Sequence, residues 1–394
     1  MVREVVITGA CRTPMGAFGG SLSNLPAPKL GALVIKEAIL RSRITNENVD
    51  EVIMGCVLSA GIGQAPARQA ALYAGLPTSV ECMTVNKVCG SGLKSVMLAA
   101  QAIALGDADI IVAGGMESMS NVPYLLDKAR TGYRLGHGQI IDALIKDGLW
   151  DVYNDFHMGN AGELCAREYN ISRRDQDAFA ILSYQRAIEA TKKGMFKKEI
   201  IPVTIEQKDG TKTEILEDEE PKRVRFEKIG SLKPAFEKNG TITPANASKI
   251  NDGAAALVLM AKEKADALKI KPLAVIRTYA STAKNPEWFT TAPADAINKV
   301  LQKTGLKIDE VDLFEINEAF AVVVIAVNNI LKIDVKKVNV NGGAIALGHP
   351  IGASGARILV TLIHALEQRN LKNGIASLCI GGGEASAILI QRLI

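Results

Sequence analysis

Apolar residues recur along this chain at two different spacings, and the alternation between them divides it into strands and helices. Val5-Val6-Ile7-Thr8 reads as a strand, and Gly16-Ala17-Phe18-Gly19-Gly20 reads as a glycine-rich turn. Leu30, Leu33, Ile35, Ala38 and Ile39 then recur at helical spacing, predicting a helix over 29–41. A β-like run over 82–88 leads into a second helix, marked by Leu93, Val96, Met97, Ala100, Ile103 and Ala104. Further helices are expected over 294–303 and 355–368, and the runs 110–113 and 375–380 are apolar at nearly every position. Continuous apolar runs of that kind predict central strands covered on both faces.

The pattern repeats. Val49-Asp50-Glu51-Val52-Ile53-Met54 returns far downstream as Ile308-Asp309-Glu310-Val311-Asp312-Leu313, again after a helix. At nearly the same offset, Cys89-Gly90-Ser91-Gly92 falls against His349-Pro350-Ile351-Gly352, each opening a helix that leads to a strand ending in glycines. Matches in the same order point to two copies of one α/β unit. The first half is read as 1–118 with 250–270, the second as 271–394. Residues 119–249 are charge-rich and have no counterpart, so they are read as an inserted loop domain, with a helix over 175–190 and His157 in the 154–159 segment. If the halves pack about a pseudo-twofold axis, corresponding helix starts converge and bring Cys89 and His349 into one pocket.

Composition narrows the class. The chain has 394 residues, more than one core usually supports, and 48% hydrophobic residues to fill several. A net charge of +4 spread along the sequence gives no footprint for nucleic acid. Six cysteines without a CxxC pair or a histidine at zinc spacing argue against a metal site or disulfide framework. Met1-Val2-Arg3 passes directly into strand-like text, and no stretch reads as long enough to span a bilayer, so a cytoplasmic protein with no membrane partner is expected.

Cys89 carries the chemistry. It stands where strand-like text gives way to a helix, and the unpaired amides of a first turn favour a thiolate. Gly90 and Gly92 leave room for a substrate. Three other words, Asn317-Glu318-Ala319-Phe320, Gly348-His349-Pro350-Ile351-Gly352 and Cys379-Ile380-Gly381-Gly382-Gly383, supply a carboxamide, an imidazole and a second thiol.

In this order and spacing, VCGSG, NEAF, GHPIGASG and CIGGG resemble the thiolase family over essentially the whole chain, and within it the short-chain biosynthetic acetyl-CoA acetyltransferases. The resemblance implies a layered αβαβα fold of two pseudo-twofold halves and reversible condensation of two acetyl-CoA to acetoacetyl-CoA and CoA. Coenzyme A is then substrate and product, and no cofactor is needed. It implies that Cys89 is acylated, that His349 activates it, and that Cys379 handles the α-proton. Asn317 would hold a water that, with His349, makes one oxyanion hole, and the amides of Cys89 and Gly381 would make the other. His157, Met158 and Ser248 would border the pantetheine arm, with Phe236, Ala319 and Phe320 lining its tunnel. Arg223 or Arg225 would meet the nucleotide phosphate. A homotetramer is implied, with the 119–249 segment contributing contacts. Three departures bear on substrate detail: Lys249 after Ser248, Glu384-Ala385-Ser386 after the triple glycine, and Asn285-Pro286-Glu287-Trp288-Phe289 near the acyl pocket, where Trp288 and Phe289 are expected to shorten it. The alternatives are a 3-ketoacyl-CoA thiolase of fatty-acid β-oxidation and a catalytically silent lipid-binding or scaffold subunit.

Overall fold

In the computed structural model, which describes residues 2–206 and 209–393, the first half contributes β1 (Val5–Arg12), β2 (Glu51–Gly55), β3 (Glu81–Val85), β4 (Ile110–Ser118) and β5 (Asn251–Ala261). Its helices are α1 (Ala27–Ser42), α2 (Pro66–Tyr73) and α3 (Ser91–Leu105). Between β4 and β5 lie α4 (Met158–Glu168) and α5 (Arg173–Lys192). The second half contributes β6 (Ala274–Ala283), β7 (Leu313–Ile316), β8 (Asn373–Ile380) and β9 (Glu384–Gln391), with α6 (Ala292–Thr304), α7 (Ala321–Leu331) and α8 (Ser354–Gln368).

The strands run in the order β3-β2-β4-β5-β1-β6-β9-β8-β7, and read outward from the β1–β6 junction the two halves match strand for strand until β3 adds a fifth to the first. Two antiparallel pairings flank the middle in each half, and parallel pairings follow outward. The halves join where Val6 pairs with Val275 and Ile7 with Ala274, and β1 and β6 each carry a bulge just beyond that junction. Side chains alternate between layers, as strands covered on both faces require. Ile110 and Val112 face an outer core shared with α1 and α2, while Ile111 and Ala113 face a central core built with α3 and α8. In β9, Ile388 and Ile390 join that same central core, and Ala387 and Leu389 face the outer core of α6 and α7. The layers are therefore helix, sheet, helix, sheet, helix.

The two central helices touch at their starts. A Cβ on Gly92 would lie 2.8 Å from Ala356 N, and one on Gly355 would lie 2.3 Å from Leu93 N. This reciprocal contact marks the pseudo-twofold axis. It also corrects the expected register, because it makes Gly92 the counterpart of Gly355 rather than Gly352. The turns agree: Asp50 accepts from the amides of Asp109 and Ile110, as Asp312 does from those of Lys372 and Asn373. Textual similarity had aligned Asp50 with Asp309, which does not hold the next strand.

Two further expectations change. The stretch Val88–Leu105 is long and apolar enough to cross a membrane by composition, but more than half of it is buried, as a helix between two sheets must be. Nor is the 119–249 segment self-contained. Among the described residues it adds no strand to the main sheet, but Phe179, Tyr184 and Ala187 of α5 enter the outer core of the second half, and Ile201, Val203 and Ile205 enter that of the first. Fully buried Arg12 of β1 anchors it further, pairing with Glu199 at 2.6 Å and Asp218 at 2.7 Å.

Candidate active site

Cys89 lies in the short link between β3 and α3. The expected strand over 82–88 ends at Val85, and Val88 adopts a left-handed φ of 44°, unusual for a β-branched residue. Ser91 holds that turn: its hydroxyl donates to Val88 O at 2.7 Å and accepts from Lys87 N at 2.8 Å. Gly90 caps α3, so Cys89 precedes the helix instead of opening it. A Cβ on Gly90 would sit 2.3 Å from Ile380 Cδ1, so this loop lies directly against the end of β8 from the other half.

That burial overturns the expectation of a ready thiolate. Removal from water pushes Cys89 up to about 11, outweighing its own amide and that of Gly381, both of which are aimed at the sulfur. At neutral pH Cys89 is a thiol and needs a base.

His349 is the residue expected to serve as that base. His349 is buried, and burial together with Arg357 pushes it down to about 3, so the ring is neutral. Its tautomer follows from the neighbours. Ser354 Oγ donates to Pro350 O at 2.9 Å, so toward His349 Nδ1 at 2.6 Å it accepts. Nδ1 therefore carries the proton, and the Nε2 lone pair faces Asn317 Nδ2 at 3.4 Å. Asn317 Oδ1 is buried without a partner, an acceptor available to a water or substrate. Asn251 Oδ1 accepts from His349 N at 3.0 Å, and the buried carboxyl of Glu117 accepts from the amides of Val57, Leu58 and Gly352. Burial raises Glu117 to about 7.

Cys379, next to last in β8, lies inside an apolar cluster with Met158, Phe289, Ala319 and Phe320. Burial raises its thiol, and the charged form of Cys89 raises it further, so the two sulfurs act on one another. Beyond it, a Cβ on Gly381 would lie 3.5 Å from Met158 Sδ and 3.6 Å from Val88 Cγ1. Glu384, one of the departures seen in the sequence, forms an ion pair with Lys87 and ties the Cys89 loop to the triple-glycine loop. Of the two aromatic residues expected to shorten the acyl pocket, the structure brings Phe289 alone into the cluster with Cys379, its ring 6.5 Å from that of Phe320. Trp288 is partly exposed and outside that cluster.

A cavity of about 240 Å³ leads from His349 toward solvent, lined among others by His157, Phe236, Ser248, Lys249 and Phe320. His157 caps α4 by accepting from Gly159 N at 3.1 Å and stacks on Phe236 with ring centres 4.7 Å apart. A side chain at Gly159 would strike the Phe236 ring at 2.3 Å, which explains the glycine. Ser248 N donates to Ala319 O at 2.9 Å, joining the 241–250 turn to the NEAF loop. Arg223 lies elsewhere, on an open groove of about 690 Å³ with Phe18 and Lys222, and Arg225 precedes a short helix over Phe226–Ile229.

The four words thus meet at one place, from both halves. Sequence reasoning missed Ser354, Asn251, Glu117 and the partnership of Lys87 with Glu384. Ser354 was visible within GHPIGASG, but the others act across long separations that no local pattern reports.

Residues 5–263 match the amino-terminal domain of the thiolases and residues 270–392 the carboxyl-terminal domain. A probable acetyl-CoA acetyltransferase of Dictyostelium discoideum is 54% identical over 392 residues, covering 100% of this chain and 95% of the relative. Among solved structures, the Acat5 thiolase of Ascaris suum in complex with coenzyme A is similar with TM-score 0.94 and 46% identity, covering 99% of this chain and 100% of that one. The Bacillus anthracis acetyl-CoA acetyltransferase is similar with TM-score 0.97 and 43% identity, covering 100% of this chain and 99% of that one.

Proposed function

The chain belongs to the thiolase family and is an acyltransferase of the acetyl-CoA acetyltransferase type, and from that premise we propose a ping-pong mechanism through an acyl-cysteine. The observation that carries it is the gathering, between the halves, of a partly buried thiol, a neutral imidazole whose unprotonated Nε2 faces Asn317, and a second thiol.

His349 Nε2 takes the Cys89 proton as the sulfur attacks the thioester carbonyl of acetyl-CoA, and the amides of Cys89 and Gly381 receive the negative oxygen. The CoA sulfur leaves with the proton from His349. A second acetyl-CoA then binds; Cys379 passes its thiol proton to His349 Nε2 and, as thiolate, removes the α-proton. Asn317, through a water, and His349 stabilise the enolate oxygen. The carbanion attacks the acetyl group on Cys89, forming acetoacetyl-CoA, and the Cys89 sulfur leaves with the proton from His349 while Cys379 keeps the α-proton as its thiol. Burial serves this step, because a raised thiol is the stronger base once deprotonated.

The wall beside Cys379 sets acyl length. Phe289 fills the apolar cluster there, so acetoacetyl-CoA is cleaved much faster than 3-ketohexanoyl-CoA in this reading. Phe289→Ala should narrow that gap by about 10-fold to 100-fold, the range of ~1–3 kcal/mol for pocket discrimination, and Trp288→Ala should leave it unchanged. Equal kcat/KM for both chain lengths in the wild type would reject short-chain selectivity in favour of the β-oxidation alternative.

We extend the reading to a cytoplasmic homotetramer. Six unpaired cysteines suit a reducing compartment, and catalysis needs two of them reduced. Tyr124, Leu126, Leu135, Ile140, Val152 and Tyr153 in the 119–249 segment are large, apolar and exposed, which supports association through that segment. Light scattering should give four times the chain mass; a monomer would end this part of the reading.

A further inference from the structure

Lys249 departs from the expected pattern and occupies a place that its sequence position does not explain. Its ammonium donates to Pro244 O at 2.5 Å and to Ala247 O at 2.9 Å, both in its own turn, and lies 5.7 Å from the centre of the Tyr184 ring. The same side chain lines the cavity beside Ser248, His157 and His349. The turn is tied on its other side to the NEAF loop, where Ser248 N meets Ala319 O and Ala321 N meets Asn246 O. Two carbonyls and an aromatic face make a cage for a cation, and a lysine fills it from within.

We propose that Lys249 is a positioning residue for CoA-bearing substrates, its ammonium clamping the 243–250 turn into the wall that receives the pantetheine arm. This rests on reading the 240 Å³ cavity as the CoA site. Without the ammonium, Pro244 O and Ala247 O lose a charged donor, and the turn that presents Ser248 relaxes. Substrate binding suffers, whereas Cys89, His349 and Cys379 are held by other partners, so acyl transfer itself does not. The charged groups acting on the clamp are Glu220 and Glu318, which favour the ammonium, and burial, which opposes it more strongly and lowers Lys249 to about 8. His157 and His349, across the cavity, are both lowered by burial and are neutral in this range. The clamp accordingly loosens as pH rises through about 8.

The test compares wild type, Lys249→Met, Lys249→Gly and Lys249→Arg in acetyl-CoA condensation, with unfolding midpoints measured alongside. Lys249→Met should raise KM for acetyl-CoA about 10-fold or more and change kcat less than about 2-fold, the split expected for lost substrate binding. Added ammonium or methylammonium should restore the KM of Lys249→Gly, whose cage is open, and not that of Lys249→Met, whose cage is filled. Wild-type KM should climb above about pH 8, and that of Lys249→Arg should stay level because its guanidinium does not titrate there. Unchanged KM in both Met and Gly variants, or equal losses in KM and kcat with a lowered midpoint and no amine rescue, would overturn the clamp. Wild-type enzyme inactive on acetyl-CoA would overturn the underlying reading of the site instead.

Discussion

Cys89→Ala will lose the acetyl adduct that acetyl-CoA leaves on the wild-type chain, and condensation will fall by about 10⁴-fold or more, as removal of a covalent nucleophile does. Mass spectrometry of the digested protein after acetyl-CoA treatment locates the adduct. An adduct of undiminished yield in the variant would mean that another residue is acylated. The prediction has a pH side. Cys89, raised to about 11, and His349, lowered to about 3, form a neutral pair through the physiological range. Proton transfer between them happens within the reaction, so the wild-type acylation rate should be level between about pH 6 and about pH 9. A limb near the ordinary histidine value that persists in Glu117→Gln, which removes the nearby carboxyl raised to about 7, would show that the imidazole is charged at rest. Stability follows the same linkage. In the unfolded chain His349 binds a proton below its ordinary value of about 6.5, and in the fold it does so only near about 3. The unfolded state thus holds more protons between those values, and this residue's share of stability is lost as pH falls through that window.

Much of this was legible in the text, for reasons the structure makes specific. The apolar runs at 110–113 and 375–380 announced central strands because both faces of β4 and β8 are covered, and no polar alternation survives there. The duplication was visible because each half repeats a helix followed by a strand ending in glycines, although the glycines that touch at the axis are Gly92 and Gly355, not the Gly92 and Gly352 that the text pairs. The local register was not, since a capping aspartate is defined by the amides it meets, and Asp309 resembles Asp50 in text while Asp312 does its work. The charge state of Cys89 was misread for a similar reason. A helix start is a local feature favouring thiolate, but the covering residues Ile380 and Gly381 arrive from nearly three hundred positions away, and burial outweighs the amides. Lys249 stood out as a departure, yet its cage becomes visible only once Tyr184 of α5 is folded over the turn.

The second large effect separates the two half-reactions. Cys379→Ser should still exchange labelled CoA with acetyl-CoA, because that exchange needs only acylation of Cys89 and its reversal, with His349 as the base. Condensation should fall by a factor of ~100 or more, since a hydroxyl is far too weak an acid to furnish the thiolate-like base that removes an α-proton. The substitution is nearly isosteric, but it places a hydroxyl in the apolar cluster of Met158, Phe289, Ala319 and Phe320, at a cost of about 1–3 kcal/mol if it finds no partner. The unfolding midpoint must therefore be measured on the same preparation. A folded variant that exchanges CoA at near wild-type rate and does not condense assigns the α-proton to Cys379. Equal loss of both reactions would make Cys379 a supporting residue for the Gly381 amide, which follows it by two positions and is aimed at the Cys89 sulfur. Thiolysis of acetoacetyl-CoA decides further, because the proton that Cys379 removes in condensation is the one it must return in cleavage. Cleavage should fall with condensation while exchange persists; a variant that cleaves at full rate would show that the proton travels by another route.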